Sequence, residues 1–415
     1  MTFDRFASWY VESQHMNPAW FVQLDDGHYY SRYPIVLPLA LMPFYGPLAA
    51  AFDIGRMPVE RVVLLARVVE KLSASLIAAL SVVAFLALAE RLASARTALL
   101  LTIVYAFGSE TWTISSQALW QHGASELFIT LALVCLLWAA AQPERLLPVV
   151  LAGLCAGLSV ANRLSNAIFL VFLGGYALLL WRRSRRRNVV FAVSALVLPA
   201  ATLAYNLHLY GNLQGGFSVI DRFRGTGMAA GLAGLLVSPG RGLLVFSPVF
   251  AFAAVGVFLW FRGHRTTHTG IYWICMLTSA AHYLMVSRWR GWAGGANYGP
   301  RLLTDVVPCL VILLIPAMSL VEGSRSWKLA FAAALFLSIA VQGIGAFCYP
   351  NGHWDSQPVS ANKHRERFWD WRDNPIFRSA LAGPVTEPYQ LAYRFFTHPG
   401  GAPEHDLKDQ GVKLW

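Results

Sequence analysis

Long apolar runs alternate with short polar ones along most of the chain. Runs lie near 68–90, 97–109, 119–141, 146–162, 165–181, 189–208, 241–261, 270–287, 302–321 and 327–348. A membrane-spanning helix needs roughly 20 mostly apolar residues. The second run, short as bounded, is expected to continue past Gly108. The pattern predicts an all-α, polytopic transmembrane helical bundle of about ten spans.

Three regions follow. Residues 1–60 form a polar-aromatic loop, 61–348 the transmembrane domain, and 349–415 a polar tail. Pro34, Pro38, Pro43 and Pro47 punctuate the first region. Proline removes a donor and clashes with the preceding turn, so an uninterrupted helix is not expected there. Short interfacial helices, with Tyr and Trp at headgroup depth, are expected instead. In the tail, Phe368–Asp373 is expected to lie along the outer membrane surface, over the mouth of the site; His398-Pro-Gly-Gly follows later.

Composition supports a membrane domain. The chain has 415 residues, 56% hydrophobic and 13% charged, with 15 Trp, 15 Tyr and 25 Phe. Soluble domains carry about twice that charged fraction. The net charge of +11 does not point to nucleic acid, because its basic residues sit in short clusters between apolar runs. Cys135, Cys155, Cys275, Cys309 and Cys348 show no paired spacing, which argues against disulfides and zinc.

The clusters also set orientation. Arg91 and Arg96, Arg145, Arg182 to Arg187, Arg262 and Arg265, and Arg325 with Lys328 occupy every second loop. These loops are expected on the cytoplasmic side. Both ends of the chain then face outward. Residues 1–32 carry no signal-like apolar stretch, so a further helix ahead of Met1 is expected.

The outward loops hold the unusual polar groups. They contain Trp120-Gln-His-Gly123, Asn162-Arg163 with Asn166, Ser238-Pro-Gly-Arg241-Gly, and Arg288-Trp-Arg-Gly-Trp-Ala-Gly-Gly-Ala-Asn-Tyr-Gly-Pro-Arg301. Five arginines lie where the charge rule depletes them: Arg163, Arg241, Arg288, Arg290 and Arg301. A shared anionic ligand explains the excess, since the guanidinium fork matches phosphate oxygens.

Asp26-Gly-His-Tyr-Tyr-Ser-Arg-Tyr-Pro34, Leu119-Trp-Gln-His-Gly123, Ser238-Pro-Gly-Arg-Gly-Leu-Leu-Val-Phe-Ser-Pro248 and Trp292–Arg301 together resemble bacterial membrane glycosyltransferases of the GT-C superfamily. The nearest groups are relatives of the protein-mannosyltransferase, aminoarabinose-transferase and rhizobial core galacturonosyltransferase families. The resemblance covers nearly the whole chain in span order. It implies a polyprenyl-phosphate sugar donor, inverting transfer to an envelope lipid, glycan or protein acceptor, and an acidic residue in the first outward loop. Asp4 matches that acidic position.

The residue inventory fits the same chemistry. A carboxylate deprotonates the acceptor, and positive charge stabilises the departing phosphate. Asp4 is the first candidate base, with Asp25 and Asp26 as alternatives, although Asp26-Gly27 also reads as a plain turn. Arg241, Arg301 and Arg163 are candidate donor-phosphate ligands. His122, Tyr30, Arg32, Tyr33, Trp292 and Tyr298 are candidate substrate contacts, and His122 also fits a structural role. No metal ligands or cofactor motifs are read. A transporter or flippase of a lipid-linked or anionic substrate is the alternative. It requires polar span centres and repeat symmetry; the span centres read as bland, and no duplicated halves are visible.

Overall fold

The protein is described here from a computed structural model, over residues 4–7, 21–216, 223, 227–264 and 268–386. Residues 4–7 are helical. A hairpin follows, with β1 (Phe21–Gln23) antiparallel to β2 (Tyr29–Ser31) and Phe21 opposite Ser31. The rest is helical: α1 (Val36–Ala51), α2 (Val59–Leu92), α3 (Ala95–Phe107), α4 (Gln121–Ala141), α5 (Leu147–Asn162), α6 (Ala167–Leu180) and α7 (Arg185–Tyr210). Then come α8 (Met228–Val237), α9 (Leu243–Phe246), α10 (Ala251–Phe261), α11 (Thr269–Ser287), α12 (Val307–Ile312), α13 (Met318–Gly323), α14 (Arg325–Gly352) and α15 (Pro375–Ala382). The later tail, His398-Pro-Gly-Gly included, lies outside the described residues.

Helix occupies each of the ten apolar runs, but they differ in length. Among the described residues, Arg61–Leu92, Gln121–Ala141, Arg185–Tyr210 and Arg325–Tyr349 are long and apolar enough to cross a membrane. Arg301–Ile312 and Ile315–Gly323, bent by 44°, make a fifth if taken as one span. Ala95–Phe107, Leu147–Asn162, Leu164–Leu180 and Pro248–Phe261 are apolar but shorter. The run at 241–261 is broken at Ser247 into α9 and α10. Thus ten apolar runs do not become ten helices of full spanning length.

Local chemistry sets several boundaries. Ser94 caps α3 by accepting from the Thr97 N–H, and Ser184 caps α7 through Arg187 N–H. Gly211, at φ 67°, ends α7 in the left-handed conformation that glycine tolerates. Helices α5 and α7 touch backbone to backbone. A Cβ on Gly153 would lie 2.7 Å from Phe191 O, and one on Gly157 2.5 Å from Ala195 O. Small residues at this spacing let membrane helices approach closely. The outer faces of α7 and α14 expose Val193, Leu196, Phe336 and Leu337, as suits contact with lipid tails.

The amino-terminal region departs from expectation in two ways. It contains a β-hairpin, and α1 runs continuously through Pro43 and Pro47. Pro38 lies in the first turn of α1, where backbone N–H groups lack helical partners anyway. Pro43 and Pro47 stand on the exposed face, where the carbonyls they orphan need no protein donor.

Several of the arginine-rich connections neighbour one another in pairs. Arg187 donates to Pro143 O at 2.9 Å and to Ala139 O at 2.5 Å, and Thr97 donates to Glu322 at 2.9 Å. Several of the outward-assigned loops also meet one another.

Candidate functional site

Where those loops meet, Asp305 is a charge centre with no solvent exposure. It lies on the 3₁₀ turn Arg301–Val306 that leads into α12. His122 Nδ1 donates to its Oδ1 at 3.0 Å, and Arg163 Nε lies 3.1 Å from its Oδ2. With Nδ1–H committed to the carboxylate, His122 Nε2 is left to accept from Arg163 Nη1 at 2.7 Å. His282 Nε2 donates to Leu302 O at 2.9 Å and stands 4.0 Å from Asp305. Burying one carboxylate without a counter-charge would cost several kcal/mol; here Arg163 supplies the charge.

An amide network brings these groups together. Asn162 Nδ2 donates to Gln121 O at 2.8 Å and to Ser125 Oγ at 3.0 Å, while Gln121 Nε2 donates to Asn162 O at 2.9 Å. Asn166 Nδ2 joins Ser125 at 2.8 Å. The start of α4 is thereby locked to the end of α5, and His122 is held beside Arg163.

Arg301 and Arg241 bracket one loop. Arg241 donates from Nε to Ala293 O at 2.9 Å and from Nη2 to Gly295 O at 3.0 Å. Arg301 Nη2 donates to the carbonyl between them, Gly294 O. Gly294 and Gly295 have φ of 80° and 81°, a conformation that turns the carbonyls toward both arginines and disfavours larger residues.

The two arginines are otherwise unlike. Arg241 is fully enclosed, and it also donates to Gly240 O at 2.7 Å and to the Asp355 carboxylate. Its guanidinium lies 5.3 Å from the Trp354 ring and 5.2 Å from the Phe368 ring. Tyr349 donates to the other Asp355 oxygen. Arg301 instead lies 4.1 Å over the Trp120 ring, and its buried Nε–H has no partner among the described residues. Arg163, Tyr33, Arg241 and Tyr349 lie within electrostatic range of it.

The first loop contributes an exposed surface. Asp4 accepts from Tyr29 N–H at 2.7 Å and meets His28 Nδ1 at 2.8 Å. Arg5 donates to the carbonyls of Ile54, Gly55 and Met57, tying this turn to the α1–α2 connection. Asp25 and Asp26 are exposed at the hairpin tip, with Gly27 at φ 79°. Asp26 accepts from Tyr30 Oη–H at 2.7 Å and from His28 N–H at 2.9 Å. The Tyr30 bond foremost lowers the Asp26 pKa below the usual carboxylate value, and the same bond raises that of Tyr30. A carboxylate with a lowered pKa is a weaker base.

The sequence-derived candidates therefore divide. Arg163, Arg301 and His122 come together, with Tyr33 nearby. Asp4, Asp26 and Tyr30 form a separate cluster within the first loop. Arg32 packs against the 211–216 turn, where a Cβ on Gly216 would meet its Cα at 2.6 Å. Three further candidates are held by protein partners. Arg241 has its donors engaged by protein acceptors. Trp292 is buried against Phe368 and Gly234. Tyr298 is a core residue whose hydroxyl donates to Val341 O at 2.9 Å, with Phe246 and Tyr349 against its ring.

Several buried polar groups were missed in the sequence. Asp305 and His282 lie inside runs read as apolar, although Arg301 and Asp305 are four apart, a helical ion-pair spacing. Glu126, inside the run at 119–141, and Glu110, just past the bounded end of the run at 97–109, are both fully buried within the bundle. Glu126 accepts from Thr111 at 2.7 Å and Ser115 at 2.5 Å, across the π-helical turn Thr111–Ser115. The span centres are thus less bland than hydropathy implies. The cysteines also hold a proximity that spacing hid: Cys135 neighbours Cys155, and Cys275 neighbours Cys309, across adjacent helices, all as free thiols.

No protein-family model and no curated relative matches the chain. Among solved structures, an archaeal oligosaccharyltransferase from Archaeoglobus fulgidus, held with an inhibitory peptide and a dolichol-phosphate, overlays at a TM-score of 0.44. The two are 12% identical over 99% of this chain and 55% of the other. The chain thus spans about half the length of that neighbour. An overlay this loose does not establish a common fold.

Proposed function

We propose that this chain is an integral membrane glycosyltransferase of the GT-C type. It would move a sugar from a polyprenyl-phosphate donor to an envelope lipid, glycan or protein, on the extracytoplasmic side of the cell (inner) membrane and with inversion. The observation that carries this reading is Arg301, a half-buried arginine whose buried Nε–H has no partner among the described residues, with Trp120 against it and Arg163 and Tyr33 in electrostatic range. A buried donor without an acceptor is costly. An anion reached from the surface would satisfy it, and a phosphate suits two neighbouring guanidiniums. The motif resemblance of the four outward segments points the same way.

In the reaction, a carboxylate takes the proton of the acceptor hydroxyl. The hydroxyl oxygen forms the new bond to the anomeric carbon, and the bond from that carbon to the phosphate oxygen breaks. The electron pair leaves with the lipid phosphate, stabilised by Arg301 and Arg163. Asp4 is the first candidate base, and Asp25 and Asp26 are the alternatives. Asp26 is disfavoured by its lowered pKa. Tyr33 and His122 are the remaining candidate contacts at this mouth.

Mass spectrometry of envelope glycans and glycolipids from a deletion strain tests the proposal. Loss of one sugar, with its lipid-linked donor accumulating, supports it; an unchanged glycan and donor profile defeats it. Orientation is tested by Ser356→Cys, which should be labelled from outside intact cells. The buried Glu110 and Glu126 favour a second reading, a transporter. Proteoliposomes distinguish the two, since a transporter moves its substrate chemically unchanged.

A further inference from the structure

Two breaks in regular helix meet inside the bundle. One is the π-helical turn Thr111–Ser115, which follows Glu110 directly. The other is Ser247, between α9 and α10, where Val249 N–H is taken by Ser338 Oγ at 3.0 Å. Such breaks free backbone oxygens within a membrane protein, and there they often serve ion sites.

Glu110, Ser247 and Gln342 meet at this point, each with no solvent exposure. Ser247 Oγ donates to Glu110 Oε1 over 3.3 Å. Gln342 Nε2 lies 3.4 Å from Glu110 Oε1, 3.3 Å from Phe246 O and 3.0 Å from Ser247 Oγ. One amide nitrogen with two hydrogens therefore faces three oxygens, mostly beyond the usual ~2.9–3.0 Å optimum. Glu110 Oε2 is buried and has no partner among the described residues. No arginine or lysine is paired with Glu110 among the described residues, and a second buried carboxylate, Glu126, lies within electrostatic range.

We propose that Glu110, Ser247, Gln342 and the Phe246 carbonyl form a binding site for a dehydrated monovalent cation of the sodium class. A half-turn of the Gln342 amide puts Oε1 where Nε2 stands, beside the other three oxygens. Nε2 then faces Thr113 Oγ1, which now donates to Gln342 Oε1 at 2.6 Å. The result is one carboxylate among neutral oxygens. That set suits a single positive charge better than a divalent ion, which takes more carboxylates. The imidazoles and thiolates that select transition metals are not among these ligands. The cation would neutralise a buried charge and pin the two helix breaks to α14.

The test uses the full chain purified in detergent, at fixed ionic strength and pH, with choline chloride exchanged for NaCl, KCl or LiCl. Thermal unfolding followed by tryptophan fluorescence should show a saturable rise in Tm with one alkali cation and none with choline. Glu110→Gln should raise the half-saturating concentration by about tenfold or more, and Ser247→Ala by a smaller factor, as ligand charge sets affinity. If Glu110→Gln does not fold, Ser247→Ala and Gln342→Leu carry the test. The site is overturned if no alkali cation surpasses choline, or if these variants keep the wild-type half-saturation. It is also overturned if only lowering the pH stabilises the protein, since Glu110 then holds a proton. The readout does not depend on glycosyl transfer, so the two proposals fail separately.

Discussion

Arg241 and Arg301 hold adjacent carbonyls of one loop, yet they lie in opposite electrostatic settings. Arg241 spends its N–H groups on Ala293, Gly295, Gly240 and Asp355 and is closed over by Trp354 and Phe368. Arg301 keeps Nε–H without an acceptor and stacks openly on Trp120. The first is a latch that fastens the tail onto the bundle; Gly240 N–H also donates to Phe368 O at 3.1 Å. The second is equipped to meet something from outside. Burial and charge are therefore insufficient to mark a ligand-binding arginine, and the partners of each guanidinium must be read with them.

The largest expected effect lies in what holds the Arg301 side together. Asp305→Ala leaves Arg163 buried without its counter-charge and should cost about 3–5 kcal/mol, the usual result of removing one partner of a buried pair. A detergent melting curve within a degree of wild type would show that Asp305 is not the centre of this side.

Arg241→Met should come next, at about 2–4 kcal/mol, because Asp355 and three carbonyls lose their donor. The loss should appear as a lower Tm and faster proteolysis of the tail. If Arg241→Met is stable but cannot bind donor, the latch and the ligand site have been interchanged.

Arg301→Gln sharpens the contrast. Stability should change by less than about 1 kcal/mol, since one interaction with Gly294 O and one stacking contact are lost. Turnover with a polyprenyl-phosphate sugar should fall by about 100-fold or more, the scale seen when one charge-stabilising donor is removed. A matched loss of Tm with little loss of turnover would make Arg301 structural as well.

The smallest effect concerns the exposed hairpin. Asp26 has a folded pKa below its unfolded value, so its contribution is present above about pH 3.9 and is lost as pH falls through the lower folded value. Tyr30→Phe removes the main cause and should move the Asp26 titration, followed by NMR, back toward the model-peptide value. An unmoved titration would separate Asp26 from Tyr30. Asp4→Asn belongs to the same region: lost turnover with retained donor binding would assign it as base, and normal turnover would remove it.

The sequence by itself determined the helical membrane character, because a run of apolar side chains is local information and hydropathy reads it directly. It also singled out Arg163, Arg301 and His122 as candidates, since polar groups at the ends of apolar runs are conspicuous in one dimension. It misjudged α1, where three prolines were read as breaks: sequence shows the missing N–H groups but not that Pro43 and Pro47 face outward. Only tertiary structure decided that Arg241 has its donors engaged while Arg301 keeps its Nε–H without an acceptor among the described residues, because most of the Arg241 acceptors lie some 50 to more than 110 residues away in sequence. Asp305, His282, Glu110 and Glu126 were hidden for the same reason. A lone polar residue in an apolar run gains meaning only from the partners that folding sets against it, and hydrogen bonds act over about 3 Å of space regardless of distance along the chain.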